Sequence, residues 1–225
     1  VSRVSTAAGL GLDSLVILTG VFFEAAPHGP KTLRRDYLAR WDALVTELQP
    51  LIRQVNAFFI CDEPTRTNVS PQTLSMVAAT VRRTFPTTTQ AMTESRFNLS
   101  DLVVPADIDW LGLQYYGSPD INTDPAWNAA YQTLLSKRSR PDQMVLLIVD
   151  GWWSPDVHGK AGISPDGMAA VATSYGRFAM AHKEISAAAV FIWPNVFGPP
   201  VMASSDLPPV VRAAQEAVGR ALTGR

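Results

Sequence analysis

Ala57-Phe58-Phe59-Ile60-Cys61-Asp62-Glu63-Pro64 is the stretch on which the reading of this chain turns. The unbroken apolar run from Ala57 to Cys61 predicts a strand buried on both faces. Two carboxylates and a proline then end it. Adjacent acids on the end of a buried strand are costly to hold there without a task. Asp62 and Glu63 are therefore the first candidates for chemistry.

Similar strands recur along the chain, separated by helical patterns. Leu15 to Thr19 reads as the strand before this one. Between them, Lys31 to Val55 carries Leu33, Tyr37, Trp41, Leu44, Leu48 and Ile52 at helical spacing, with Pro50 placed to kink or end the helix. After it, Pro71 opens a helix that Ser70 can cap, running to about Thr84. Thr88 to Met92, Ile108 to Tyr115, Met144 to Val149 and Ala188 to Trp193 read as further strands. Helices are expected over Trp127 to Ser136, from Ser164-Pro165 to about His182, and over Leu207 to Leu222.

Apolar strands alternating with helices predict a parallel sheet covered by helices. A doubly wound sheet would place a Gly-rich turn after an early strand. Gly9-Leu10-Gly11 precedes a strand instead. A β/α barrel would gather polar and aromatic residues just past its strand ends. The chain shows that pattern: Phe22, Phe23 and Glu24; Asp62, Glu63 and Pro64; Glu94; Gln114, Tyr115 and Tyr116; Asp150, Gly151, Trp152 and Trp153; Trp193, Pro194 and Asn195. Carboxylates and aromatic rings on one rim suit a sugar site. Rings stack on the apolar faces of pyranoses, and carboxylates handle the proton and the anomeric carbon.

Several of these residues have a plainer reading. Glu24 and Glu94 fit a helix cap or a loop charge, and Trp152-Trp153 fits a loop lying over the barrel mouth. Cys61 fits a small buried strand residue and, being the lone cysteine, forms no internal disulfide. His28, His158 and His182 lie far apart without ligand spacing, so neither a metal nor another cofactor is expected. Asn68 and Asn98 head glycosylation tripeptides.

With 225 residues, 47% of them hydrophobic, the chain can form one sizeable core, expected as one domain over residues 1–225. A net charge of −1 without like-charge runs lacks the basic footprint of a nucleic-acid binder. No apolar run is long enough to span a bilayer. Val1-Ser2-Arg3 does not start a signal peptide, and the absence of an initial Met leaves room for a segment upstream.

At the level of motifs the chain resembles the clan of retaining glycoside hydrolases built on a (β/α)8 barrel, which includes cellulases, mannanases and β-galactosidases. Phe58-Phe59-Ile60-Cys61-Asp62-Glu63-Pro64 resembles the end of that clan's fourth strand, where an Asn-Glu-Pro motif carries the acid/base glutamate. Ile108 to Tyr116 resembles the sixth strand, whose terminal tyrosine lies near the nucleophile. Val190-Phe191-Ile192-Trp193 resembles the eighth, whose tryptophan floors the sugar subsite. The resemblance implies a partial barrel holding strands three to eight, with Leu15 to Thr19 as the third and Val1 to Leu12 as the helix before it. Strands one and two have no counterpart here. It also implies secretion or a periplasmic location. Asp62 replaces the clan's Asn, and Asp150 stands where the clan has a nucleophilic glutamate one methylene longer.

Three functions follow for comparison. In a glycoside hydrolase acting on an oligo- or polysaccharide, Glu63 is the general acid/base, its pKa raised by Asp62 and burial. Asp150 is the nucleophile or base, oriented by Tyr115 or Tyr116. Trp152, Trp153 and Trp193 hold the sugar, with Asn195 and Glu24 also on the rim. In a binding module, the same tryptophans hold glycan without turnover. A barrel enzyme of phosphate-ligand chemistry would need Gly-rich amides after the last strands, and a Schiff-base enzyme would need a strand-end Lys; both are missing.

Overall fold

The computed structural model describes residues 1–25 and 29–224. His28 lies outside them. Helix α1 (Ser2–Gly9) precedes strand β1 (Ser14–Ile17) and the single turn α2 (Thr19–Phe22). Strands β2 (Phe23–Ala25) and β3 (Lys31–Leu33) form a small antiparallel pair in which Glu24 faces Thr32. Helix α3 (Tyr37–Leu48) gives way at Pro50 to a 3₁₀ stretch (Gln49–Gln54), which leads into β4 (Val55–Asp62). Then follow α4 (Pro71–Thr84), β5 (Thr89–Ser95), β6 (Trp110–Gln114), α5 (Pro125–Ser136), β7 (Met144–Asp150), α6 (Met168–Ala181), β8 (Ile185–Phe191) and α7 (Pro209–Thr223).

Six strands form one parallel sheet, hydrogen-bonded in the order β1-β4-β5-β6-β7-β8. The order follows the chain without a reversal, so the sheet has no switch point of the doubly wound kind. Strand and helix alternate as in a (β/α)8 barrel. The fold is a partial barrel of that type.

Element boundaries shift from the sequence reading at several places; β5 runs on to Ser95 rather than ending at Met92, and β6 begins at Trp110 rather than Ile108. The helix expected from Lys31 begins only at Tyr37, because Lys31 to Leu33 is drawn into the β2–β3 pair. There the Lys31 N–H donates to the Thr67 carbonyl at 2.8 Å and the Arg34 N–H to the Phe22 carbonyl at 2.8 Å. Ser164 does not open α6. Its hydroxyl accepts from the Gly167 amide at 3.1 Å in a turn, and the helix starts after that turn. The last sheet strand begins at Ile185 and ends at Phe191, two residues before Trp193.

The chain divides into two compact units, Val1–Gly112 with Ser136–Met144 and Leu113–Leu135 with Val145–Arg225. In the first, α3 and α4 cover the outside of β4. Trp41 stands edge-on to Phe58 and Phe85, with ring centres 6.1 and 5.8 Å away, and its indole N–H donates to the Thr84 hydroxyl at 3.1 Å. Ser70 caps α4 by accepting from the Thr73 amide at 3.1 Å. In the second unit the core is again aromatic. Trp127 stands edge-on to Tyr175 at 5.4 Å and Phe178 at 5.5 Å, all three rings buried. Each unit thus packs its helices around a buried tryptophan with a large apolar face.

Candidate functional site

In the first unit the chemistry gathers at the ends of β4 and β5. The two strands run parallel with Asp62 beside Thr93, and the Thr93 hydroxyl donates to Asp62 Oδ1 at 2.7 Å. Lys31 Nζ donates to the Asp62 carbonyl. At Glu63 the chain leaves the sheet with φ +47°, in the left-handed region where side-chain-bearing residues are uncommon. The turn is fastened on each side of that residue. The Glu63 amide donates to the Thr93 carbonyl at 2.9 Å, and the Glu63 carbonyl accepts from the Thr67 amide at 2.9 Å and its hydroxyl at 2.6 Å.

The Glu63 residue is only 8% exposed. Its carboxylate pairs through Oε2 with Arg66 Nε, from a side chain 45% exposed. Burial pushes the Glu63 carboxyl above its ordinary range; the Asp62 charge adds to the push and Arg66 opposes it. Glu94, fully buried, accepts from the Thr65 amide at 2.7 Å and the Ser95 amide at 2.9 Å. Glu24 lies apart on the β2–β3 pair, exposed, 3.5 Å from Arg34. Cys61 is buried and its thiol is pushed up to about 12 by that burial, so it stays protonated at neutral pH.

In the second unit the centre is Asp150, the last residue of β7 and 1% exposed. The fully buried His158 ring places Nε2 at 2.9 and 3.1 Å from its two oxygens. The other ring nitrogen, Nδ1, accepts from the Ser154 amide at 3.1 Å. With Nδ1 accepting, the proton of the neutral ring sits on Nε2 and is donated to Asp150. The Gly117 amide also donates to Asp150 Oδ2, at 2.9 Å. Gly117 has φ +83°, and a Cβ there would lie 2.9 Å from a Val157 methyl, so glycine suits this turn on both counts. Burial raises the Asp150 carboxyl, while the His158 and backbone bonds pull it back.

Rings surround this pair. Tyr116 stacks on Phe191 at 5.5 Å and stands edge-on to Trp152 at 5.8 Å. Trp152 is edge-on to His158 at 5.3 Å, and its indole N–H meets no acceptor among the described residues. Tyr115 is buried, and its hydroxyl donates to Asp124 at 3.1 Å. Trp153 ties down its own loop, its indole donating to the Ile163 carbonyl at 2.8 Å. Asn195 does likewise, donating to the Val201 carbonyl at 2.7 Å and accepting from the Phe197 and Gly198 amides. Trp193 is 60% exposed.

Arg66, Thr93 and His158 were not among the sequence candidates. Arg66 carries a local signal, three residues after Glu63 in the same turn. His158 carries none, because its seat depends on the π-turn Pro155–Gly159 that Ser154 caps, accepting from Val157 at 3.2 Å. Among the described residues, no group of three or more His, Cys, Asp or Glu could hold a metal ion, and no helix is long and apolar enough to cross a membrane.

A partial (β/α)8 barrel is a fold that a group of glycoside hydrolases also uses. No protein-family model matches the chain, and no curated protein does. Solved structures do, among them the following two. A thermostable mutant of a xylanase from Cellvibrio japonicus is 14% identical, with a TM-score of 0.58 over 85% of this chain and 71% of that one. A GH113 β-1,4-mannanase is 9% identical, with a TM-score of 0.55 over 100% of this chain and 78% of that one. At such identities the likeness is one of fold.

Proposed function

We propose that this chain is a glycoside hydrolase acting on an oligo- or polysaccharide. Glu63 is its general acid/base and Asp150 its nucleophile or base. The observation that carries the reading is Glu63 itself. Its carboxyl follows a buried strand, is fixed by a positive-φ turn, and is pushed toward the protonated form by burial and by Asp62. A partly buried acid with a raised pKa keeps its proton to higher pH than an ordinary carboxyl and can give it to a leaving glycosidic oxygen. Arg66 is exposed enough to swing aside when a sugar enters.

Asp150 takes the second role on its strand-end position and the clan resemblance alone. Retention would require a carboxyl separation of about 5–5.5 Å, with Asp150 attacking the anomeric carbon; inversion would require about 6.5–9.5 Å, with Asp150 activating water. Trp193, open to solvent, offers a face for a pyranose ring. The names of the two neighbours make xylan and β-1,4-mannan the first substrates to assay. Glu63→Gln should lower turnover by about 10²–10⁴-fold while leaving glycan affinity near that of the parent. Turnover at the parent level in that variant would remove Glu63 from the reaction.

One observation favours a second reading, a non-catalytic carbohydrate-binding barrel. Asp150 is 1% exposed, and both its oxygens already accept hydrogen bonds. This reading expects glycan binding without release of reducing ends, weakened by Trp193→Ala. Reducing-end release that depends on Glu63 would exclude it.

A further inference from the structure

We infer that Glu94 is a positioning residue for Glu63: its buried carboxylate anchors the Thr65 amide and so fixes the turn from which Glu63 projects. The inference rests on the hydrolase reading for its link to turnover, though not for its geometry. Glu94 lies on β5 and has no exposed surface. Its two oxygens accept one backbone N–H each, from Thr65 at 2.7 Å and from Ser95 at 2.9 Å. Among the described residues it forms no ion pair.

A carboxylate buried without a cation is costly, and charge-assisted bonds from backbone amides offset only part of that cost. An amide side chain would bury more cheaply, but its single oxygen could not receive both N–H groups in the same way. The placement therefore points to a use for both the second oxygen and the charge. Thr65 is two residues after Glu63, inside the loop closed by the Glu63–Thr67 bonds and by the Val69 amide on the Pro64 carbonyl at 2.8 Å. Glu63 sits at φ +47°, a conformation that persists only where neighbours over-determine it. The Thr65 anchor is one such restraint, and it ties the Glu63 turn to the adjacent strand. The Glu94 charge also adds to the upward push on the Glu63 carboxyl.

The test uses the full chain with Glu94→Gln and Glu94→Asp. Glu94→Gln removes the charge and disturbs the anchor. Three changes are expected: faster exchange of the Thr65 amide, a Glu63 carboxyl titration (followed by ¹³C NMR) moved to lower pH, and kcat on xylan or mannan down by about tenfold or more with KM within about twofold. The descending alkaline limb of the pH profile should move down with the Glu63 titration. Glu94→Asp keeps the charge but falls one methylene short, so it should free the Thr65 amide and leave the Glu63 titration near the parent's. A merely structural Glu94 would lower the melting temperature without moving that titration. Unchanged Thr65 exchange together with an unchanged Glu63 titration in Glu94→Gln overturns the inference. Should Glu94→Gln not fold, Thr65 protection at the parent level in Glu94→Asp overturns it. If the parent has no glycosidase activity, the hydrolase reading fails by itself, and the two NMR readouts still decide the role of Glu94.

Discussion

Glu63 and Asp150 each lie at the end of a buried apolar strand, yet they are held in opposite ways. Glu63 is fixed through its backbone, while its side chain meets one long, half-exposed arginine. Asp150 is fixed through its side chain, with both oxygens facing a buried imidazole and one of them also accepting from the Gly117 amide. An arginine can exchange its partner for water at little cost; a packed imidazole cannot. The contrast shows that a carboxylate's availability depends on the freedom of its partners more than on its place in the strand pattern. Glu63 is poised, and Asp150 is locked.

The sharpest way to break this comparison is to remove the lock. His158→Ala leaves a buried carboxylate without its main donor and should cost about 3–5 kcal/mol in urea-melt stability. The cost should depend on pH. Burial raises the Asp150 pKa in the folded state above its unfolded value, so the folded form binds the proton more tightly. Stability then falls as pH rises through the folded pKa, because the ionised form is the one that burial disfavours. Losing His158 removes a group that favours the ionised form, so the penalty should grow toward higher pH. A loss of under about 1 kcal/mol at every pH would show that Asp150 is not locked by His158.

Glu63 should respond in the other direction. Its folded pKa is also raised, so its ionised form costs stability above that pKa. Glu63→Gln should therefore gain stability over the parent as pH rises, with no gain below the unfolded carboxyl pKa of about 4.3. Glu63→Gly also relieves the left-handed backbone, worth about 1 kcal/mol. Thermal melts across pH measure both. A loss of stability in Glu63→Gly would mean that the Arg66 pair outweighs the strain.

How much of this was legible in the sequence follows from what each feature depends on. Strand β4 and helix α4 could be read because burial on both faces, the Ser70 cap and Pro71 at the first turn are local signals. The Asp62-Glu63 pair was visible for the same reason. The β2–β3 pair was not, because three-residue strands are set by partners distant in the chain. The spacing of Leu33 and Tyr37 also imitated a longer helix. The sequence reading gave Tyr115 or Tyr116 the task of orienting Asp150. The structure puts the Tyr115 hydroxyl on Asp124 and His158 on Asp150. The eight positions from Asp150 to His158 cross a loop and the Pro155–Gly159 π-turn rather than one regular element, so no periodicity could have announced that contact.

The finest test of the comparison is Arg66→Gln. Arg66 holds the Glu63 carboxyl down against burial and Asp62, so its removal should let the Glu63 pKa rise further. An acid that keeps its proton to higher pH should carry the alkaline limb of kcat/KM with it, in the direction opposite to Glu94→Gln. Stability should change by less than about 1 kcal/mol, since the arginine is 45% exposed and water replaces it readily. That pairing of a moved pH limb with an unmoved melting temperature belongs to a poised carboxylate. A large loss of stability with an unmoved limb would place Glu63 beside Asp150 among the locked groups, and the acid would have to be sought elsewhere.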